Sequence, residues 1–395
     1  MAGLKLTRIS LKTKRNSRHP WIFSKMVFHP RKRPAPGTPV EVYSRDGDFV
    51  GRGFYHPDRT IAVRLLTEDP GEPLDEVFFY ERLKAAKGLR EDVLRIPEKS
   101  DSYRLVHGEG DGLTGLAVDK FGEVLVVEPF IAGYVQAGGM VAAALEELYP
   151  GHRIAFRPDP RTEKGEGASF AALAAAYPAP RSVRITENGV RFEVNLETGH
   201  KTGYFLDQRD NRARAASLAR GRRVFDLFCY SGGFGIQAMF SGAESALGVD
   251  LDEKALETAA ANARLNGVNL AVRHEDVFNF LRAAIAEKQS ADVVIVDPSK
   301  LAGVKAEIPR ALKTYDDLNR LAMQVVRPGG IIVTCSCSGL ISEQQFMSVL
   351  ANAAGEAGME LQVFDVTGAA PDHPVRTDFP EGKYLTAVFA RVLPG

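Results

Sequence analysis

The sequence predicts an α/β fold for residues 186–395, a parallel sheet with helices on both faces, preceded by a small β-barrel over 1–73 and an α+β middle domain over 74–185. Three observations predict it. Past residue 186, short apolar runs alternate with amphipathic segments, the pattern of βαβ units whose strands are buried on both faces. The first 75 residues instead alternate apolar and polar positions between Pro-Gly and Asp-Gly turn signals. The composition, 45% hydrophobic and 25% charged with 3 cysteines in 395 residues, suits a globular chain of two or three domains; it excludes extended disorder and a disulfide-stapled secreted scaffold.

The barrel strands fall at 40–43, 49–54 and 61–66, and Pro70, Gly71 and Pro73 mark a linker. The middle domain combines helical spacing at 74–87, a hairpin at 115–119 and 123–130 after the turn at Gly108, Gly110 and Gly112, and an alanine-rich helix at 140–148. The C-terminal strands are 224–228, 246–249, 271–274, 293–296 and 331–334, with helices at 253–265 and 308–325 between them. Segments 361–366 and 384–392 alternate and form an antiparallel pair at one edge, a surface on which a homodimer could be built.

The formal net charge is zero, yet residues 1–33 hold ten Lys or Arg and no carboxylate. Lys12, Lys14, Arg15 and Arg18 interleave with Trp21, Phe23 and Phe28, offering phosphate contacts beside aromatic surface, as an RNA-binding face does. Trp21 itself reads as core. The basic start lacks the apolar stretch of a secretory signal, and no run reaches the ~18 apolar residues of a membrane span, so a cytoplasmic protein with no membrane contact is expected.

In an open parallel sheet, ligands bind beyond the carboxyl ends of the strands. After the first strand comes Asp226-Leu-Phe-Cys-Tyr-Ser-Gly-Gly-Phe-Gly235, whose glycines permit a tight turn and close approach of backbone to a ligand. The second strand ends at Asp250, placed to bind ribose hydroxyls. Gly233-x-Gly235-x-x-Ala238 with Asp250 also matches a dinucleotide fingerprint and would suit a nicotinamide-dependent oxidoreductase. The remaining loops favour methyl transfer: Asp276 follows the third strand, Asp297-Pro-Ser-Lys300 the fourth, and Thr334-Cys-Ser-Cys-Ser-Gly339 the fifth. Hydride transfer needs no thiol there.

Lys201-Thr-Gly-Tyr-Phe-Leu-Asp-Gln-Arg209, the 226–235 loop, Asp297-Pro-Ser-Lys300, Ser336-Cys-Ser-Gly339 and Asp372-His-Pro-Val375 together resemble the bacterial ribosomal RNA large subunit methyltransferase I family. His19-Pro-Trp-Ile-Phe23 resembles the start of that family's PUA domain, an RNA-binding module. The resemblance spans essentially the whole chain. It implies a class I (Rossmann-like) methyltransferase domain, S-adenosylmethionine as cofactor, and 5-methylcytosine in ribosomal RNA as product. It further implies that Phe205, Asp207, Gln208 and Arg209 flank the cofactor, that Asp226, Tyr230, Ser231 and Gly232 line its methionine moiety, that Asp250 takes the ribose, and that Asp276 and Val277 face adenine. The family's usual Asp-Pro-Pro-Lys is Asp-Pro-Ser-Lys here, with Ser299 in third place.

Cytosine C5 is too weak a nucleophile to attack a sulfonium methyl unaided, and a thiolate adding to C6 supplies the electron density. Cys337 is the expected nucleophile. Asp297 is expected at the N3 and N4 edge of the base, and Lys300 beside the thiol or on a phosphate. Cys335 is the alternative nucleophile; Cys229 reads as packing, and Asp252 as a helix cap. No second cysteine pair or histidine cluster completes a metal site. Arg209, Arg212 and Arg214 also read as the solvated side of a helix, while His373 is placed provisionally near the site. Two further readings stand beside the first: guanine methylation on ribosomal RNA, against which Lys300 stands where a stacking aromatic is expected, and a non-catalytic RNA-binding protein.

Overall fold

The computed structural model describes residues 3–197 and 203–395. The chain forms two compact units. Unit 1 takes Met1–Ile185, Val194–Leu206 and Pro371–Gly382, and unit 2 takes Thr186–Glu193, Asp207–Ala370 and Lys383–Gly395.

Unit 1 holds two sheets. Strands β1 (Thr7–Leu11), β2 (Trp21–Phe23), β3 (Val27–Phe28), β4 (Thr38–Tyr43), β5 (Phe49–Tyr55) and β6 (Ile61–Thr67) are ordered β2-β6-β5-β4-β1-β3. They enclose Ile9, Leu11, Val40, Val42 and Val63. Helix α1 (Glu76–Gly88) starts where the Asp75 carboxylate accepts the Phe78 N–H at 3.0 Å, a side-chain cap on an otherwise unpaired donor. Strands β7 (Ser102–His107), β8 (Leu116–Phe121) and β9 (Val124–Pro129), helix α2 (Tyr134–Leu148), and strand β10 (Arg153–Phe156) follow, in sheet order β10-β9-β8-β7. Two short helices, α3 (Pro160–Glu166) and α4 (Ala171–Ala176), complete this layer. Its core, which includes Phe79, Leu105, Val127 and Val141, is distinct from that of the barrel.

The 371–382 segment is held inside unit 1 by buried charge. Arg90 donates to both oxygens of Asp111, at 2.5 and 2.8 Å, and to the Asp372 carbonyl at 2.7 Å, while Asp372 Oδ2 accepts the Arg104 N–H at 2.8 Å. The Phe379 ring meets Trp21 edge-on at 4.8 Å. Trp21 is not the core residue the sequence suggests: it is half-buried and held by charged partners, its Nε1–H donating to Glu109 at 2.7 Å and the Arg64 guanidinium lying 4.7 Å over its ring.

Strands β11 (Ser182–Glu187) and β12 (Val190–Asn195) pair as a two-stranded ribbon that the sequence reading left unassigned. Its turn is Asn188-Gly189, both at positive φ (51° and 81°), the backbone that a two-residue hairpin requires. Unit 2 then alternates as expected: α5 (Arg209–Leu218), β13 (Arg223–Leu227), α6 (Gly233–Phe240), β14 (Ser245–Asp250), α7 (Glu253–Leu265), β15 (Ala271–His274), α8 (Val277–Ala286), β16 (Ala291–Val296), α9 (Ile308–Gln324), β17 (Val326–Ser336), α10 (Glu343–Glu356), β18 (Met359–Thr367) and β19 (Thr386–Pro394). The sheet order is β15-β14-β13-β16-β17-β19-β18, with β18 and β19 the antiparallel edge pair. Val294, Val296, Ile332, Phe346 and Leu350 lie in its core. Among the described residues no helix is long and apolar enough to cross a membrane.

Candidate active site

Strand order in unit 2 reverses between β13 and β16, which opens a crevice at their carboxyl ends. Beyond β13 the chain turns sharply, with Phe228, Tyr230 and Gly232 at φ of 62°, 48° and 82°. Left-handed backbone costs an aromatic residue roughly 1–3 kcal/mol, so the surroundings must impose it. The Phe228 and Cys229 N–H groups both donate to the Val249 carbonyl, at 2.9 and 3.2 Å, and the Tyr230 N–H donates to Asp250 Oδ2 at 2.9 Å. A Cβ at Gly232 would lie 2.9 Å from Ile236 and from Leu270, so the turn tolerates no side chain there.

Four aspartates end the strands around this turn. Asp226 is buried, and its Oδ2 accepts the Gly235 N–H at 2.8 Å; burial, reinforced by Asp297 and Asp250, pushes its carboxyl up to about 7. Asp250, half-buried, also accepts the Asp252 N–H at 2.9 Å through Oδ1. Asp252 caps α7 as expected, by accepting the Ala255 N–H at 3.0 Å, and Asp276 caps α8 in the same way, from Asn279 at 3.1 Å. Val277 is buried in the core, so its backbone is what it can present to a ligand. Cys229 is buried with its thiol pushed up, and it packs where Gly248 leaves room.

The fourth aspartate, Asp297, is aimed by a chain of amides. Thr367 Oγ1–H donates to Asn211 Oδ1 at 2.6 Å, Asn211 Nδ2 donates to Gln208 Oε1 at 2.7 Å, and Gln208 Nε2 donates to Asp297 Oδ1 at 3.0 Å. Each bond fixes the orientation of the next amide. Asp207 accepts the Tyr384 hydroxyl at 2.7 Å, and its carbonyl accepts the Ala370 N–H. Across the crevice, Ser338 Oγ accepts the Leu301 and Ala302 N–H groups at 3.1 and 3.2 Å, tying the Asp297-Pro-Ser-Lys loop to the end of β17. The Tyr315 hydroxyl lies 3.3 Å from Ser338 Oγ, and burial raises it to about 12, so it keeps its proton.

The two cysteines of β17 differ in access. Cys335 is fully buried, paired in the sheet opposite Ala387, and its thiol is pushed up by burial and then by Asp297. Cys337 lies one residue past the strand, half-buried, with Sγ 3.6 Å from the Pro298 carbonyl. Ser299 and Lys300 are exposed in the facing loop.

Residues 169–377 match the family model of S-adenosylmethionine-dependent methyltransferases, and residues 10–68 match that of a PUA-like domain. Curated relatives named ribosomal RNA large subunit methyltransferase I are 40% identical: over 380 residues in Pseudoalteromonas atlantica, covering 95% of this chain and 96% of that one, and over 395 residues in Shewanella amazonensis, covering 98% and 99%. The chain belongs to the ribosomal RNA large subunit methyltransferase I family. Two solved structures share its fold, one described as a methyltransferase complexed with SAH (TM-score 0.80, 21% identity) and one from Streptococcus mutans (0.79, 19%), each covering 98% of this chain and 100% of that one.

As a methyltransferase I family member the chain uses S-adenosylmethionine, and the crevice fits it. Carboxylates suit ribose hydroxyls, an amine and a cation, and the Gly232 turn brings backbone close. Unit 2 gathers Asp207, Gln208, Arg209, Asp226, Tyr230, Ser231, Gly232, Asp250, Asp276, Val277, Asp297, Lys300 and Cys337. Phe205 is half-buried in unit 1, and positions 201 and 202 of the same motif lie outside the described residues.

One reading needs correction. Arg209 and Arg212 are not on a solvated helix face; both are buried, and only Arg214, paired with Asp365 at 2.8 Å, is partly exposed. Arg212 meets Glu187, a buried carboxylate contributed by the hairpin. His373 lies buried in unit 1 beside Asp372, its ring 5.0 Å from that of His107. Lys12, Lys14 and Arg18 are exposed, Arg18 pairing with Glu68 at 3.5 Å, whereas Arg15 is half-buried and donates to the His19 carbonyl. Asn211, Tyr315, Thr367 and Tyr384 carry no signal in the sequence because none belongs to a residue type or spacing that points to chemistry by itself.

Proposed function

We propose that this chain methylates carbon 5 of a cytosine in large-subunit ribosomal RNA, with Cys337 as nucleophile. The ribosomal substrate follows the names of relatives that match nearly the whole chain. The choice of base rests on one observation: a half-buried thiol at the end of β17, facing the Asp297 loop and tied to it by Ser338, while its neighbour Cys335 is sealed in the sheet.

S-adenosylmethionine supplies a methyl group on a sulfonium, with S-adenosylhomocysteine as leaving group. Asp250 would hold its ribose, Asp226, Tyr230, Ser231 and Gly232 its methionine end, Asp276 and the Val277 backbone its adenine, with Phe205, Asp207, Gln208 and Arg209 flanking. The Cys337 thiol gives its proton to water and Sγ bonds to cytosine C6, which moves the C5–C6 π pair onto C5 and toward N3. Asp297, oriented by Gln208, would meet the N3 and N4 edge as the protonated acid and give N3 a proton that cancels that charge, which N3 returns when the ring is restored. The C5 pair takes the methyl group. The C5 proton then leaves to Asp297 or a water, the C5–C6 double bond re-forms, and the Cys337 thiolate departs. Lys300, on the exposed loop, would meet phosphate or thiolate charge. Lys12, Lys14, Arg15 and Arg18 would contact RNA from unit 1.

The test is incubation with labelled S-adenosylmethionine and unmodified ribosomal RNA, followed by nucleoside analysis. Label in 5-methylcytosine is expected; label in a methylated guanine would overturn the choice of base.

A pH dependence follows from Asp226. Because burial lifts this carboxyl to about 7, it holds a proton below that pH, and a cationic methionine ammonium binds best once the proton has left. Affinity for S-adenosylmethionine is therefore expected to rise about tenfold from pH 6 to pH 8, steepest below pH 7, and then level off. Asp226→Asn, whose amide oxygen can still accept the Gly235 N–H, should bind more weakly and show a flat profile by calorimetry. A wild-type profile already flat across that range would count against a methionine contact.

A further inference from the structure

Unit 1 contains a cavity of about 350 Å³ where the barrel meets the middle layer. We infer that it is a subsite for one unpaired nucleotide of the RNA, which rests on the RNA substrate proposed above. The size is that of a small-ligand pocket, and its lining separates into two chemistries. Phe54, Ile61 and Ile131 supply aromatic and aliphatic surface for a base, while Arg59 and Thr60 supply donors for phosphate and sugar.

The walls are preorganised. His56 Nδ1 accepts the Asp58 N–H at 3.2 Å and Nε2–H donates to the Glu166 carbonyl at 3.1 Å, so the imidazole clamps the barrel to α3. Glu166 Oε2 accepts the Ala132 N–H at 3.1 Å, fixing the segment that leads into α2. By contrast, Arg59 is 45% exposed and reaches Glu166 only through a 3.4 Å ion pair, loose enough to yield to a phosphate.

Charge on the surrounding surface favours a strand over a free nucleotide. Arg33, the end of the Arg31-Lys32-Arg33 run, donates to the Pro57 carbonyl at 3.1 Å, and Pro57 adjoins His56 in the cavity wall. A backbone leaving the mouth would meet this basic run, whereas a lone nucleotide has no use for it.

The full-length protein tests the proposal with a single-stranded RNA fragment of the ribosomal substrate, the four nucleoside 5′-monophosphates, and two variants at the mouth. Arg59→Glu should weaken RNA binding about tenfold and lower the salt slope by about one, as loss of one phosphate contact does. Thr60→Trp should block the cavity and weaken RNA binding to a similar extent with an unchanged salt slope. Affinity for S-adenosylmethionine and kcat should be unchanged in both, with the loss appearing in KM for RNA, and Arg59→Lys should restore most of it. Wild-type RNA affinity in both Arg59→Glu and Thr60→Trp would overturn the subsite. So would monophosphates that saturate the cavity without competing with RNA. Weakened RNA binding in both variants, with a wild type that transfers no methyl group, would sink the proposed function and leave the subsite standing; normal transfer by the wild type with unaltered RNA binding in the variants would do the reverse.

Discussion

Replacing Cys337 with alanine is expected to lower methyl transfer to cytosine by at least ~10³-fold while leaving S-adenosylmethionine binding intact, because the variant loses the only step that makes C5 nucleophilic. The contrast with Cys335 makes the result interpretable. Cys335 is fully buried and its thiol is pushed up, so Cys335→Ala should cost about 1 kcal/mol of packing and keep most of the turnover. RNA carrying 5-fluorocytosine at the target adds a chemical readout: the C5 fluorine cannot leave as a proton does, so a covalent adduct should persist with the wild type and be absent in Cys337→Ala. Full activity in Cys337→Ala, or an adduct that survives it, would remove Cys337 from the mechanism. Loss of both in Cys335→Ala alone would move the role there.

The second large effect is structural and lies under the cofactor turn. Arg212 donates to both oxygens of Glu187, at 2.8 and 2.7 Å, and Gln237 Nε2 donates to Glu187 Oε1 at 2.5 Å, with all three side chains buried. The Arg212 stem runs beneath Gly233, where an added Cβ would lie 2.9 Å from Cδ. Arg212→Met keeps that stem but strands a buried carboxylate, a change that costs about 3–5 kcal/mol when one partner of a buried pair is removed. Chemical unfolding followed by far-UV circular dichroism should show it, and Trp21 fluorescence reports unit 1 separately, since the chain has one tryptophan and it lies there. Pairing Arg212→Met with Glu187→Gln should recover much of the loss, because the uncompensated charge is then gone. A single-variant cost below about 1 kcal/mol would mean that water reaches Glu187.

Much of unit 2 was legible because its signals are local. The strands at 246–249 and 293–296 are apolar runs bounded by turns, and the predicted helix 253–265 matches α7 residue for residue. The hairpin was also legible in principle: Asn188-Gly189 between alternating segments is a strong turn signal. The edges of α2 were harder, since Gly138 and Gly139 interrupt the helical propensity that its neighbours show and the predicted start fell at 140.

Arg212 shows why the rest was hidden. Helix α5 is mostly polar, so its sequence reads as a surface helix, yet its inner face is satisfied by a carboxylate 25 positions earlier. The motif marks Asp297, but the group that aims it, Gln208, lies 89 positions away, and nothing in the sequence around Gln208 points to that contact.

By itself, the sequence determined the alternation of strands and helices, the aspartates at strand ends, the two cysteines of β17 and the basic N-terminus, because periodicity, turn chemistry and motif spacing are properties of neighbouring residues. Only the tertiary structure decided which cysteine is accessible, which arginines are buried against a carboxylate, and that residues 371–382 are bound within unit 1 rather than unit 2. The physical reason is the same in each case: burial and pairing are set by segments distant in the chain, and a buried polar group is stable only where the fold delivers its partner.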